Sequence, residues 1–239
     1  AKAFGVQFLD SDNTLKTPFQ TSWGVSTRMI GGIIMTHGDD EGLVLPPAVA
    51  PIQVVIIPIQ QHKDGVLDAA RALADTLRTA GIRVKVDDSE QSPGWKFSEY
   101  EMKGVPLRVE IGPRDIAEGK CVIVRRDNRE KSFVQSANIV EEVKAGLEAL
   151  RKALFEKARE NRERRTFEAH NLDELKEIAA TKSGYIKAMW CGDTECELKL
   201  KEVADVSSRC MPFDGEAIAA ECVCCGRAAK KLVYWGKAY

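Results

Sequence analysis

Apolar residues over 4–9 and 14–23 follow a strand-like pattern, interrupted by Asp10-Ser11-Asp12-Asn13, and predict two strands joined by a turn. The period then changes. Val25, Met29, Ile33 and Ile34 keep helical spacing as far as about His37, and Gly38 supplies a stop. Residues 39–51 hold Asp39, Asp40, Pro46, Pro47 and Pro51 and read as an interdomain linker. Val54 to Ile57 is apolar at every position, the pattern of a strand buried on both faces. Val66, Ala70, Leu73 and Leu77 place one apolar stripe on a helix from about Asp64 to Ala80, ended by Gly81. Further strands are expected at 82–86, 105–111 and 120–126, with a helix at 94–103 and a short helical connection at 114–118. This alternation predicts an α/β unit with a parallel or mixed sheet. Asn138 and Glu141 have capping-box spacing and open a long helix striped by Ile139, Val143, Leu147, Leu150 and Leu154. A short helix is expected after Asn171 and a strand at Tyr185–Trp190.

Composition narrows the class. At 239 residues the chain has room for one large domain or two to three small ones. Its 44% hydrophobic and 30% charged content is globular and excludes wholesale disorder. With 35 Lys+Arg against 36 Asp+Glu, any nucleic-acid contact must come from local patches. Residues 151–170 carry seven Lys/Arg against four Glu, which suits a solvated helix face or a phosphate-facing surface. The longest apolar stretch, Leu43 to Ile52, is broken by proline, so no membrane span or membrane partner is expected. No basic segment followed by an apolar one opens the chain, so no secretory signal is read. The opening AKAFGVQFLD reads as the middle of a folded element, which predicts that the chain is part of something longer. His37, His62 and His170 stand alone, and no Walker loop, GxSxG elbow or HExxH motif occurs.

The cysteines concentrate candidate chemistry. Six of the seven lie at or beyond position 191. Cys191 and Cys196 form one close pair, and Cys222 and Cys225 another. Two such loops can wrap one ion, and four thiolates make a closed tetrahedral zinc site that is structural rather than catalytic. Gly192 and Gly226 follow directly and permit tight turns. Cys224 could replace Cys225, but a two-residue spacer suits a zinc knuckle better, so Cys225 is preferred.

The segment Thr21-Ser22-Trp23-Gly24-Val25-Ser26-Thr27-Arg28-Met29-Ile30-Gly31-Gly32 closely resembles the third signature motif of prolyl-tRNA synthetases, members of the class II synthetases. The resemblance continues through His37–Pro47, Ala50–Val55, Gly94-Trp95-Lys96-Phe97 and Glu110–Asp115, and over the terminal cysteines to Tyr239. It covers nearly the whole chain, and the cysteine-bearing tail is similar to that of the archaeal/eukaryotic type. By this resemblance, residues 1–50 close a class II antiparallel catalytic sheet. Residues 51–150 form an α/β anticodon-binding domain, and 151–239 a small α+β zinc-binding domain.

The resemblance also implies roles. Arg28 would be the catalytic arginine that binds ATP, with Ser26 beside it; its planar fork suits a triphosphate. An arginine in that position is expected one helical turn into its element, pointing back over the strand end. Ser22, Trp23 and Gly24 would floor a proline pocket. Trp95, Glu110, Arg114 and Lys120 would meet the anticodon, whose splayed bases are read by stacking and hydrogen bonds. Trp95 and Phe97, flanking Lys96, have the interleaving this needs, although each taken alone reads first as a core residue. The implied activity is proline–tRNA ligation: L-proline and ATP, with Mg2+, give prolyl-AMP, and the prolyl group passes to tRNA(Pro). The family's first two signature motifs, which supply the homodimer interface and most acidic metal ligands, are not in these residues. Alone, the chain is therefore expected to be inactive in adenylation. A cytoplasmic location is implied, and the terminal tyrosine could fold toward the active site. A silent RNA-binding module and a sister synthetase are the competing readings. Ser22–Arg28 speaks against the first; the Thr21–Gly24 pocket and the cysteine tail speak against the second.

Overall fold

The computed structural model describes residues 1–238; Tyr239, and with it the expectation about the terminal tyrosine, lies outside the described residues.

The first segment is less regular than its pattern predicts. Strands β1 (Phe8–Leu9) and β2 (Leu15–Lys16) are two residues each and pair antiparallel only with one another. The turn between them is present, with Asn13 left-handed at φ 59°. Residues 17–27 have no regular structure. The expected strands at 4–9 and 14–23 thus shrink to a minimal hairpin, because alternation alone cannot hold a strand that finds no third partner. Helix α1 spans Arg28–His37, starting later than expected, so Arg28 is its first residue rather than one turn in. Thr27 makes no side-chain cap, its backbone being already helical at φ −58° and ψ −12° instead of the extended conformation a capping side chain needs. Gly38 closes the helix by donating its N–H to Ile34 O at 2.8 Å.

Residues 39–51 are a strap rather than a free linker. Leu43 N donates to Met102 O at 3.0 Å and Leu45 N to Gly104 O at 3.2 Å, while Val44 and Ala50 are buried. Arg126 donates to both carboxylate oxygens of Asp39, at 2.7 and 2.6 Å.

The strap leads into a five-stranded mixed sheet built from β3 (Val54–Pro58), β4 (Val84–Val86), β5 (Leu107–Ile111), β6 (Lys120–Arg125) and β7 (Lys131–Gln135), in the order β4-β3-β5-β6-β7. The first three strands are parallel; β6 and β7 run antiparallel. Helices α2 (Val66–Thr79), α3 (Pro93–Met102) and α4 (Pro113–Ala117) connect them. Strand β3 is buried on both faces: Val54 and Ile56 join Ala70, Leu77 and Leu107 in one core, and Val55 and Ile57 join Tyr100 and Val105 in another.

Helix α5 (Ile139–Arg164) has 26 residues. Ile139, Val143 and Leu147 pack into the sheet core, and Leu150 and Leu154 pack on Val44. The boundary expected at 150/151 falls inside this helix. The expected capping box at Asn138 does not form. A 3₁₀ turn at Ser136–Asn138 leads straight into the helix, so Asn138 has ψ 9° instead of the extended backbone a capping side chain needs.

The last unit is a second sheet, ordered β10-β11-β9-β8. It comprises β8 (Thr166–Glu168), β9 (Tyr185–Trp190), β10 (Ser207–Cys210) and β11 (Lys231–Gly236). Helices α6 (Leu172–Thr181) and α7 (Thr194–Ala204) pack beside it, and Leu175, Ile186, Ala188, Leu200, Val233 and Trp235 form its core. Among the described residues no helix is long and apolar enough to cross a membrane.

Candidate functional site

Three places carry the predicted side chains. In the last unit the chain delivers Cys191 from the end of β9, Cys196 from the first turn of α7, and Cys222 and Cys225 from the turn before β11. Their four sulfurs lie within 4.8 Å of one another. Cys191 and Cys196 Sγ are 3.7 Å apart, and Cys225 and Cys191 Sγ 3.9 Å. Zinc–sulfur bonds of about 2.3 Å in a tetrahedron require sulfurs about 3.8 Å apart, so the donor set fits that ion. Gly192 and Gly226 both take the left-handed backbone their turns need, at φ 89° and 70°. Cys224 is not one of the four; it is buried in the apolar core of the unit. Burial pushes the Cys196 and Cys222 thiols up, whereas Arg227, bonded to Cys225, holds that thiol down to about 6.

The second place is one end of the five-stranded sheet. Trp95 follows β4 in the first turn of α3, Glu110 and Arg114 flank the end of β5, and Lys120 begins the antiparallel β6. The topology therefore brings all four to the carboxyl end of the parallel strands, where open α/β sheets hold ligands. Their surroundings differ. Trp95 is 48% exposed and presents a free aromatic surface. Arg114 is exposed, and Lys120 pairs with Glu118 at 3.0 Å. Glu110 is engaged by Arg108 at 2.9 Å; Arg108 also pairs with Glu101 at 2.7 Å and stacks over the Phe97 ring at 4.0 Å. The expected Trp-Lys-Phe interleaving is not all surface. Lys96 is 2% exposed and donates to Asp87 O at 2.9 Å and Gln61 Oε1 at 3.2 Å. Sequence reading missed this buried lysine and Arg108, because charged residues in an apolar run read as solvated.

The third place is the segment before α1. Ser22, Trp23, Gly24, Ser26 and Arg28 are all exposed, Trp23 at 93%. Ser26 Oγ accepts from Arg28 N at 3.4 Å.

Comparison with known proteins gives a consistent result. The family model described as Anticodon binding domain matches residues 53–146, the span of the five-stranded sheet with α2 to α4 and the start of α5. The model described as Prolyl-tRNA synthetase, C-terminal matches residues 172–239. Over all 239 residues the chain is 58% identical to a Proline--tRNA ligase of Lachnospira eligens and 57% identical to one of Clostridium novyi. It is 56% identical to a Proline--tRNA ligase 2 of Bacillus cereus. In each case the chain spans 50% of the relative's length. Along its whole length the chain is similar to the C-terminal half of these proline–tRNA ligases, and its residues 172–239 match the C-terminal model of prolyl-tRNA synthetases.

Proposed function

We propose that the chain is the tRNA-recognising half of a proline–tRNA ligase, which activates L-proline with ATP and Mg2+ and transfers the prolyl group to tRNA(Pro). The observation that carries this reading is 58% identity to such a ligase along every residue of the chain. In this reading residues 1–50 complete a class II catalytic sheet, 51–150 bind the anticodon and 151–239 form a zinc-supported tail. The rest of the parent protein supplies the homodimer interface, and the enzyme works in the cytoplasm.

Arg28 neutralises and positions the ATP phosphates, helped by Ser26, while Ser22, Trp23 and Gly24 floor the proline pocket once the remaining catalytic residues surround them. No side chain in these segments is suited to act as a general base. Their contribution is orientation and charge stabilisation of an in-line displacement. At the sheet end, Trp95 offers a stacking face and Arg114 and Lys120 offer donors to an unstacked base or its phosphate. Glu110 acts there with its charge already balanced by Arg108. Cys191, Cys196, Cys222 and Cys225 hold a structural Zn2+, which ties β9, α7 and the turn before β11 together.

Binding of the chain to tRNA(Pro) and to an anticodon-substituted tRNA(Pro), across a salt series, tests the proposal. Loss of affinity on anticodon substitution is expected. Equal affinities that both fall steeply with salt would mean that only backbone charge is felt, and would overturn it.

A further inference from the structure

The cysteine quartet is served by a single guanidinium. Arg227 lies two residues past Cys225 and donates from Nε to Cys225 Sγ at 3.3 Å. Its Nη2 lies 3.9 Å from both Cys191 Sγ and Cys196 Sγ. The same nitrogen is anchored by Asp193 Oδ2 at 2.6 Å. Asp193 is itself fixed twice. Its Oδ1 accepts from Glu195 N at 3.0 Å, capping the helix that delivers Cys196, and its carbonyl accepts from Trp190 Nε1 at 3.1 Å. One planar fork thus touches three of the four sulfurs and is braced by the residue that caps α7.

Four thiolates around a divalent ion leave a net charge of about −2. Charge-assisted N–H donors spread that charge and fix the direction of each sulfur lone pair. Arginine suits this better than lysine, because its donors diverge in a rigid plane. We propose that Arg227, held by Asp193, is a positioning residue of the metal centre, orienting the Cys191, Cys196 and Cys225 thiolates and offsetting the charge of the zinc tetrathiolate. This rests on the reading of the quartet as a zinc site and extends it to residues that hold the ligands without binding the ion. Lys230 lines the same shallow cavity as Arg227 but makes no sulfur bond among the described residues, so it serves as a charge control.

The test uses the zinc-loaded chain, with metal content and release into excess EDTA followed by a colorimetric zinc indicator. Wild type is expected to carry one zinc. Arg227→Gln is expected to bind zinc with unchanged far-UV circular dichroism but release it about 10- to 100-fold faster. Arg227→Lys should fall between the two, Asp193→Asn should reproduce part of the loss, and Lys230→Gln should match wild type. In the cobalt-substituted chain, the sulfur-to-metal charge-transfer band should shift in Arg227→Gln and not in Lys230→Gln. If Arg227→Gln fails to fold, Arg227→Lys and Asp193→Asn carry the comparison. Wild-type release rates in the Arg227 and Asp193 variants, or equal acceleration by Lys230→Gln, would overturn the inference while leaving the zinc site standing. A wild-type chain without zinc would overturn both.

Discussion

At the scale of single residues, the Asp39–Arg126 pair ties the strap to the sheet. The Arg126 side chain is 2% exposed and that of Asp39 32%. Asp39→Asn leaves a buried guanidinium short of its counter-charge, and a loss of about 3 kcal/mol in urea unfolding is expected. The bond to Arg126 holds the Asp39 carboxyl down at about 2, below its unfolded value of about 3.9. Its contribution is therefore present above about pH 4 and disappears as pH falls toward 2. Wild type and Asp39→Asn should converge in stability across that window, and a constant gap would refute the pairing. At the quartet, Cys225→Ser should abolish stoichiometric zinc in a metal assay while Cys224→Ser retains it; the opposite result would reassign the fourth ligand. The four cysteines were legible because close spacing directly implies shared geometry. Arg227 was not, since a lone arginine in a turn looks like any solvated cation until the fold brings three sulfurs to it. Lys96 was hidden for a related reason: only the loops at 61 and 87 reveal the partners that hold its ammonium.

Elements were legible where burial is one-sided or complete. Strand β3 and helix α2 follow their sequence patterns because every core-facing position is apolar. Strand β7 left no trace, since Val134 is its sole buried residue. Helix α7 buries only Cys196 and Leu200, too few positions to set a period. The converse error came at the start of the chain, where residues 4–7 and 17–23 were expected in strands and form none, and where even Phe8, Leu9 and Leu15 of the short hairpin are exposed. At α3, the Ser92 hydroxyl accepts from Trp95 N at 3.3 Å and Pro93 opens the helix. Ser92→Ala should cost about 1 kcal/mol and speed amide exchange over 93–97, the turn that presents Trp95. Unchanged exchange there would mean that packing alone holds the turn.

At the scale of the whole molecule, the cores on the two faces of the five-stranded sheet are separate from the core around the second sheet. Of these, only the core around the second sheet includes Cys191, Cys196 and Cys222, with the exposed Cys225 beside them. Stripping the metal should therefore expose amides beyond about residue 185 and leave 53–146 protected, as read by hydrogen exchange. A tail that keeps its protection without metal would exclude a structural ion. The two sheets are joined by α5, with only Arg165 between the end of that helix and β8. A continuous helix so joined acts as a phase gauge as well as a spacer. Inserting one residue on its exposed side past Leu154 would swing the tail through about 100° and advance it about 1.5 Å. Inserting seven would return it almost to its original azimuth, about 10 Å further out. Any function that depends on the tail's bearing should thus fail with one added residue and partly recover with seven, an angular dependence that a flexible tether would never display.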